Sequence, residues 1–262
     1  MNNYPIGIFD SGVGGTSIWK EINNLLPQEN TIYLADSSNA PYGNKSVDEI
    51  ISLSIKNTEL LLKLNCKIIV VACNTATTNA IPVLRNKYDI PFIGIEPAIK
   101  PAALNTKSKV IGVLATKGTL SSCLFSESSK DFTKDIKVVE VVGKGLVPLI
   151  EAGKINSQET NTLLRTYLTP MIKAKIDHLV LGCSHYPYLI PVLQKILPKN
   201  VKIIDSGEAV ARQTKFILSE KQLLSNSNKT PKLQFFTNYY TRTLKQLLLD
   251  YSNVISIERK EF

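Results

Sequence analysis

Ten short runs rich in Val, Ile and Leu recur along the 262 residues, and helical patterns separate most of them. The runs are YPIGIFD (4–10), TIYLAD (31–36), KIIVVAC (67–73), PFIGIE (91–96), KVIGVLA (109–115), IKVVEVV (136–142), HLVLGC (178–183), VKIIDS (201–206), LQFFT (233–237) and NVISIE (253–258). Several are apolar at consecutive positions, as strands buried on both faces of a parallel sheet require. Between them, SVDEIISLSIKNTELLLKLN (46–65) places Ser46 three residues before Glu49, a capping-box arrangement that starts a helix. A second helical pattern, SQETNTLLRTYLTPMIKAK (157–175), contains Pro170, which is expected to disturb the helix or mark its edge. This alternation predicts an α/β fold with open parallel sheets covered on both faces. The polar segment LLSNSNKTPK (223–232) reads as a connection.

Open α/β sheets bind ligands beyond the carboxyl ends of their strands. Asp10, Asp36, Cys73, Thr116 and Cys183 all stand at such ends. Each precedes a candidate helix, whose first N–H groups favour anions. The stretch DSGVGGTS (10–17) fits neither phosphate-loop template, because Ser17 stands where GxGxxG needs glycine and no GK[ST] follows. Its glycines fit a tight turn and a loop that brings Asp10 and Ser11 to a ligand equally well.

Two stretches resemble each other. VVACNTATTNAIPVLRNKY and VLGCSHYPYLIPVLQKIL share an apolar strand, a cysteine, a polar pair and then IPVL, beginning at Ile81 and Ile190. The repeat predicts two similar α/β halves facing each other across a cleft, each supplying one thiol. With no CxxC pair and only His178 and His185 as imidazoles, a zinc site lacks ligands. Four widely spaced cysteines do not make a disulfide framework. Cys66 and Cys123 read as small buried apolar residues, and His178, inside an apolar strand, as structural. Cys73 and Cys183 differ, because a helix N-terminus lowers a thiol pKa. Polar residues follow both, and His185 stands two positions after Cys183, where it can exchange protons. Nucleophilic catalysis needs only one cysteine, and thiol–disulfide exchange favours close pairs. Stereoinversion at the α-carbon of an amino acid uses two opposed acid/base groups and suits this arrangement.

Net charge is +9, from 31 basic and 22 acidic residues, yet nothing is denser than KAK at 173–175. Scattered lysines describe a solvated surface rather than a nucleic-acid face, although a positive field would still attract a small anion. Apolar content of 44% and charged content of 20% are those of an ordinary globular protein. No run approaches the roughly 18–20 apolar residues that span a bilayer, and MNNYPIGIFD has no signal-peptide pattern, so a cytoplasmic location is expected.

Six motifs, DSGVGG (10–15), PYG (41–43), VACNTAT (71–77), LAT–GT (114–119), LVPLIEAG (146–153) and LGCSHYP (181–187), together resemble the glutamate racemases of the aspartate/glutamate racemase superfamily. The resemblance implies two pseudo-symmetric doubly wound α/β domains, 1–97 plus 208–262 and 98–207, with the active site in the cleft between them. It implies interconversion of L- and D-glutamate without cofactor or metal, supplying D-glutamate for peptidoglycan synthesis, and a homodimer is common in the family. Cys73 and Cys183 would be the acid/base pair, the first serving the D-enantiomer and the second the L-enantiomer. Asp10 would support Cys73 and His185 would support Cys183, with Glu151 and Asp36 as further carboxylates. Ser11, Tyr42, Gly43, Asn74, Thr75, Thr116, Thr119 and Ser184 would line the substrate beside Asp10 and His185. The family usually has GCTHYP, so Ser184 keeps a hydroxyl but loses a methyl. An aspartate or other acidic amino-acid racemase, and a non-catalytic anion or nucleic-acid binder on the same fold, are the alternatives.

Overall fold

Every predicted strand forms, with ends within two residues of those expected. In chain order they are β1 (Ile6–Asp10), β2 (Thr31–Ala35), β3 (Ile68–Val71), β4 (Phe92–Gly94), β5 (Val110–Ala115), β6 (Lys137–Val142), β7 (His178–Gly182), β8 (Lys202–Ile204), β9 (Leu233–Thr237) and β10 (Ile255–Arg259). The computed structural model describes residues 3–262, so Met1 and Asn2 of the expected first domain lie outside the described residues. All strand pairs are parallel, and they form two sheets. One has the order β10-β9-β2-β1-β3-β4, the other β6-β5-β7-β8. The inner run β2-β1-β3-β4 and the whole second sheet share one pattern, each first strand lying between its second and third. The repeat legible around Cys73 and Cys183 is therefore a repeat of topology. β9 and β10 return at the end of the chain to extend the first sheet beside β2.

Continuous apolar runs made these strands because both faces are covered. β1, β2, β3 and β7 are buried at every residue. Trp19, on the helix Thr16–Leu25, packs edge-on against Phe235 of β9 at 4.8 Å and Tyr251 at 4.9 Å. Its indole N–H donates to Thr31 Oγ1 at 2.9 Å, so the ring buries no unpaired donor. The helix Val47–Lys63 begins with the expected capping box: Ser46 Oγ accepts from Glu49 N, and Glu49 Oε2 accepts from Ser46 N.

Pro170 behaves differently from expectation. The helix Gln158–Lys173 runs through it and ends three residues later. Its ring lies on the exposed face, where water can satisfy the carbonyl one turn back that loses its helical donor. Among the described residues, no helix is long and apolar enough to cross a membrane.

At the amino ends of the first sheet, Lys67 Nζ donates to Glu29 Oε2 at 2.6 Å and to the Leu223 carbonyl at 2.7 Å. Ser225 N donates to Glu29 Oε1 at 2.7 Å, so the buried pair fastens the start of the irregular 223–232 connection. Lys67→Met is expected to lower stability by about 3 kcal/mol, because Glu29 is left buried without its cation. Urea unfolding would check this, and the double variant Lys67→Met/Glu29→Leu should be more stable than Lys67→Met alone.

Candidate active site

Strand register brings the chemistry to one edge. Asp10 ends β1, and Cys73 lies two residues beyond the end of β3, whose last residue, Val71, pairs with Phe9. Ala115 pairs with Gly182, so Thr116 and Cys183 leave the second sheet side by side. The two edges face each other, and the loop after β1 crosses between them. Gly15 N donates to Asp10 Oδ2 at 2.8 Å and closes this loop on itself. Val13 N donates to Glu151 Oε1 at 2.7 Å, Ser184 Oγ to Asp10 Oδ1 at 3.1 Å, and Ser17 Oγ to the Ser184 carbonyl at 2.9 Å. A Cβ on Gly12 would stand 1.9 Å from Glu151 Oε1, and one on Gly14 would stand 2.2 Å from His185 Nδ1. The glycines are thus explained by close approach of the opposite half, not only by a turn.

Cys73 caps the helix Asn74–Lys87, its sulfur accepting from Ala76 N at 3.5 Å and lying 3.6 Å from Ser11 Oγ. Cys183 Sγ lies 3.9 Å from His185 Nδ1. Both thiols line one cavity of about 10 Å³, together with Ser11, Tyr42, Gly43, Asn74, Thr75 and Thr116. Ser184, His185, Pro41 and Val147 complete its wall. Such a space holds about one water molecule. Asn74 is buried, and neither end of its side-chain amide has a partner among the described residues. A buried polar group of this kind needs a partner, and the cavity is where one can come from.

Burial pushes the Cys73 thiol well above its usual range, and the nearby Asp10 carboxylate adds to the effect. The Ala76 N–H and Ser11 oppose this and are outweighed. The helix N-terminus therefore does not make Cys73 a thiolate here, contrary to the sequence expectation, because desolvation dominates. His185 has the reverse balance. Burial disfavours its charged form, but the Cys183 thiol, Glu151 and Asp10 together hold its pKa well above 6.5. Its Nε2 meets Glu151 Oε1 at 2.5 Å, and its Nδ1 lies 4.0 Å from Asp10 Oδ2. Burial raises the Asp10 pKa, while His185 and the Gly15 N–H pull it back.

Most of the expected residues meet here, but Asp10, Asp36, Thr119 and Glu151 are not among the residues that line the cavity; Asp10 stands behind it, bonded to Gly15 N and Ser184 Oγ. Asp36 is buried, but it accepts from Tyr42 Oη at 2.5 Å and from the amides of Asn39 and Asn238. It holds Tyr42 in the wall without reaching the thiols; a strand-end position did not reveal that its partners lie on its own side. Thr119 stands behind the wall, with its hydroxyl 3.0 Å from Thr116 Oγ1 and 3.4 Å from Thr75 Oγ1. Glu151 is on the far side of His185 and also accepts from Ser37 Oγ at 3.0 Å. Pro41 and Val147 were missed. They lie inside PYG and LVPLIEAG, but apolar side chains carry no chemical signal in a sequence.

Of the remaining candidates, Cys66 is buried and its thiol is pushed up to about 12 by burial. Cys123 is exposed at the start of the helix Cys123–Phe132, so its reading as a buried residue is corrected: its position faces solvent rather than the core. His178 is buried in β7 and bonded to Asp177 at 2.8 Å, a structural contact. Among the described residues, no group of three or more His, Cys, Asp or Glu could hold a metal ion.

The duplicated α/β fold thus brings two thiols to one cavity, each beside an ionisable partner. A family model described as Asp/Glu/Hydantoin racemase matches residues 6–214, and the chain belongs to that family. It is 43% identical over 238 residues to a glutamate racemase of Herpetosiphon aurantiacus, covering 91% of this chain and 94% of that protein. It is also similar to the structure of Escherichia coli glutamate racemase in complex with L-glutamate and the activator UDP-MurNAc-ala, with a TM-score of 0.85, 33% identity and 98% of each chain covered. The Francisella tularensis glutamate racemase in complex with D-glutamate matches with a TM-score of 0.84 and 28% identity, again over 98% of each chain.

With a folded pKa above the unfolded value of 6.5, protonated His185 contributes stability that is fully present below pH 6.5 and is lost as pH rises through the raised value. A histidine-resolved NMR titration should show His185 still charged at pH 7. Glu151→Gln should lower that pKa; an unchanged value would mean that Glu151 does not hold the charge.

Proposed function

We propose that this chain is a cofactor-independent glutamate racemase, with Cys73 and Cys183 as its two bases. The observation that carries the reading is that both thiols face one small cavity from opposite halves of the duplicated fold. Removal of the α-proton from one face by a thiolate leaves a planar carbanion. Delivery of a proton to the other face by the opposite thiol completes inversion, and protons balance across the pair. Cys183 takes the proton from L-glutamate and Cys73 takes it from D-glutamate. Asp10 and His185 exchange protons with the pair, and Glu151 positions His185. Cys183 Sγ lies 3.9 Å from His185 Nδ1, within reach for proton exchange, while burial pushes the Cys73 thiol up. Ser11, Asn74, Thr75, Thr116 and Ser184 offer hydroxyls and amides to the substrate carboxylates, and Gly43 and Tyr42 shape the wall.

A cavity of about 10 Å³ cannot hold glutamate, so its wall must move to admit it. The same reading divides the chain into 1–97 plus 208–262 and 98–207, a division supported by the return of β9 and β10 to the first sheet. It also assigns the product D-glutamate to peptidoglycan synthesis.

Purified protein is expected to convert L-glutamate to D-glutamate, with little turnover of L-aspartate, when both are followed by chiral chromatography. Cys73→Ala and Cys183→Ala should each reduce turnover by about 10³-fold or more, with unchanged circular dichroism. Substantial turnover in either variant would sink the two-base assignment. Turnover of aspartate alone would replace the substrate, and no turnover with steeply salt-dependent DNA binding would favour the non-catalytic binder.

A further inference from the structure

Pro41 and Val147 line the catalytic cavity and also two larger outer cavities. One outer cavity, of about 360 Å³, is bounded by Ser37, Pro148, Glu151 and Tyr239 among others, and among the described residues Glu151 is its only charged lining residue. The other, of about 490 Å³, also shares Gly43 and Thr116 with the catalytic cavity. Among the described residues, its charged lining residues are Lys45, Lys117 and Lys144, with no carboxylate. The three lysines come from three separate segments, after Tyr42, after Thr116 and before Gly145. None of them is in an ion pair among the described residues. Glu49 stands near Lys45, but its carboxylate is turned to Ser46.

We propose that the cavity carrying Lys45, Lys117 and Lys144 is the anionic substrate's entry vestibule, where an amino dicarboxylate is captured before it passes Pro41 and Val147. The inference rests on the racemase reading for the identity of that anion. Glutamate at neutral pH carries one negative charge in excess. A concave wall of one sign raises the local concentration of such an ion, whereas the Glu151 side repels it. The lysines are too far out to belong to the wall around the thiols, which contains none of them. They therefore act on capture, not on proton transfer. Both enantiomers carry the same charge, so capture by charge does not distinguish them.

The test is the triple variant K45Q/K117Q/K144Q. Racemisation should show KM raised by about tenfold in both directions with kcat within about twofold of the parent. The parent's kcat/KM should fall as salt is added, and the variant's should respond much less. A control, K195Q/K199Q/K215Q, removes the same charge elsewhere and should behave like the parent. An unaltered KM and salt response in the vestibule variant, or an equal change in the control, would overturn the proposal.

A readout independent of racemisation separates the two claims. Alkylation of Cys73 and Cys183 by iodoacetate and by iodoacetamide forms the same C–S bond and releases iodide, but only the first reagent is anionic. The iodoacetate-to-iodoacetamide rate ratio at these residues, resolved by peptide mass spectrometry, should fall several-fold in the vestibule variant and not in the control. A protein that leaves glutamate unchanged but shows this fall would lose the substrate assignment and keep the anion vestibule. An unchanged ratio would remove the vestibule while leaving the racemase reading intact.

Discussion

The site depends on how the glycine-rich loop after β1 is seated against the opposite half. The loop gives a backbone N–H to Glu151, receives the Ser184 hydroxyl on Asp10, and leaves no side-chain volume at Gly12 or Gly14. Its helix continues the contact, with Thr16 Oγ1 2.6 Å from Tyr188 Oη. Without that seating, the edges bearing Cys73 and Cys183 would not share a cavity. The same bonds must yield when substrate enters. They are few and mostly single hydrogen bonds, each worth roughly 0.5–1.5 kcal/mol net, with bonds to the two carboxylates at the upper end or above it. Such an interface can be tight around a small substrate and still open.

Charge is unequal across the site. His185 lies between Glu151 and Asp10, which with Cys183 hold its pKa well above the usual histidine range, while desolvation and Asp10 both push the Cys73 thiol up. A histidine stands beside one thiol and an aspartate beside the other. Two topologically equivalent halves therefore supply chemically different partners. This fits a substrate whose two enantiomers present the α-proton to opposite walls.

Much of this was legible before any coordinates. Buried parallel strands write themselves as continuous Val and Ile, so β1, β3, β5 and β7 were readable in place. Their pairing order was not, because nothing local in a strand names its neighbour. The capping box at Ser46 is a local interaction and was found; Pro170 was misjudged because its tolerance depends on which side of the helix meets water. The thiols, His185 and Asp10 were found because reactive groups at strand ends are conspicuous. Asp36 shared that position, but its partners, Tyr42 and Asn238, are set by tertiary structure. The Cys73 pKa direction was also missed, because a helix N-terminus is visible in sequence and the depth of burial opposing it is not. Pro41 and Val147 were silent for the opposite reason: they shape space without chemistry.

Opposed thiols, one serving each enantiomer, are the central claim, and isotope placement at early times tests it most directly. Either enantiomer of glutamate would be incubated with the protein in heavy water, and both enantiomers separated and weighed at low conversion. The account predicts a product carrying one solvent deuteron at the α-carbon and a recovered starting enantiomer that is nearly all protium, because each thiol returns its own proton to its own face. A product that keeps the substrate's proton, or deuterium entering both enantiomers equally, would mean that one base serves both faces, and the account would fail.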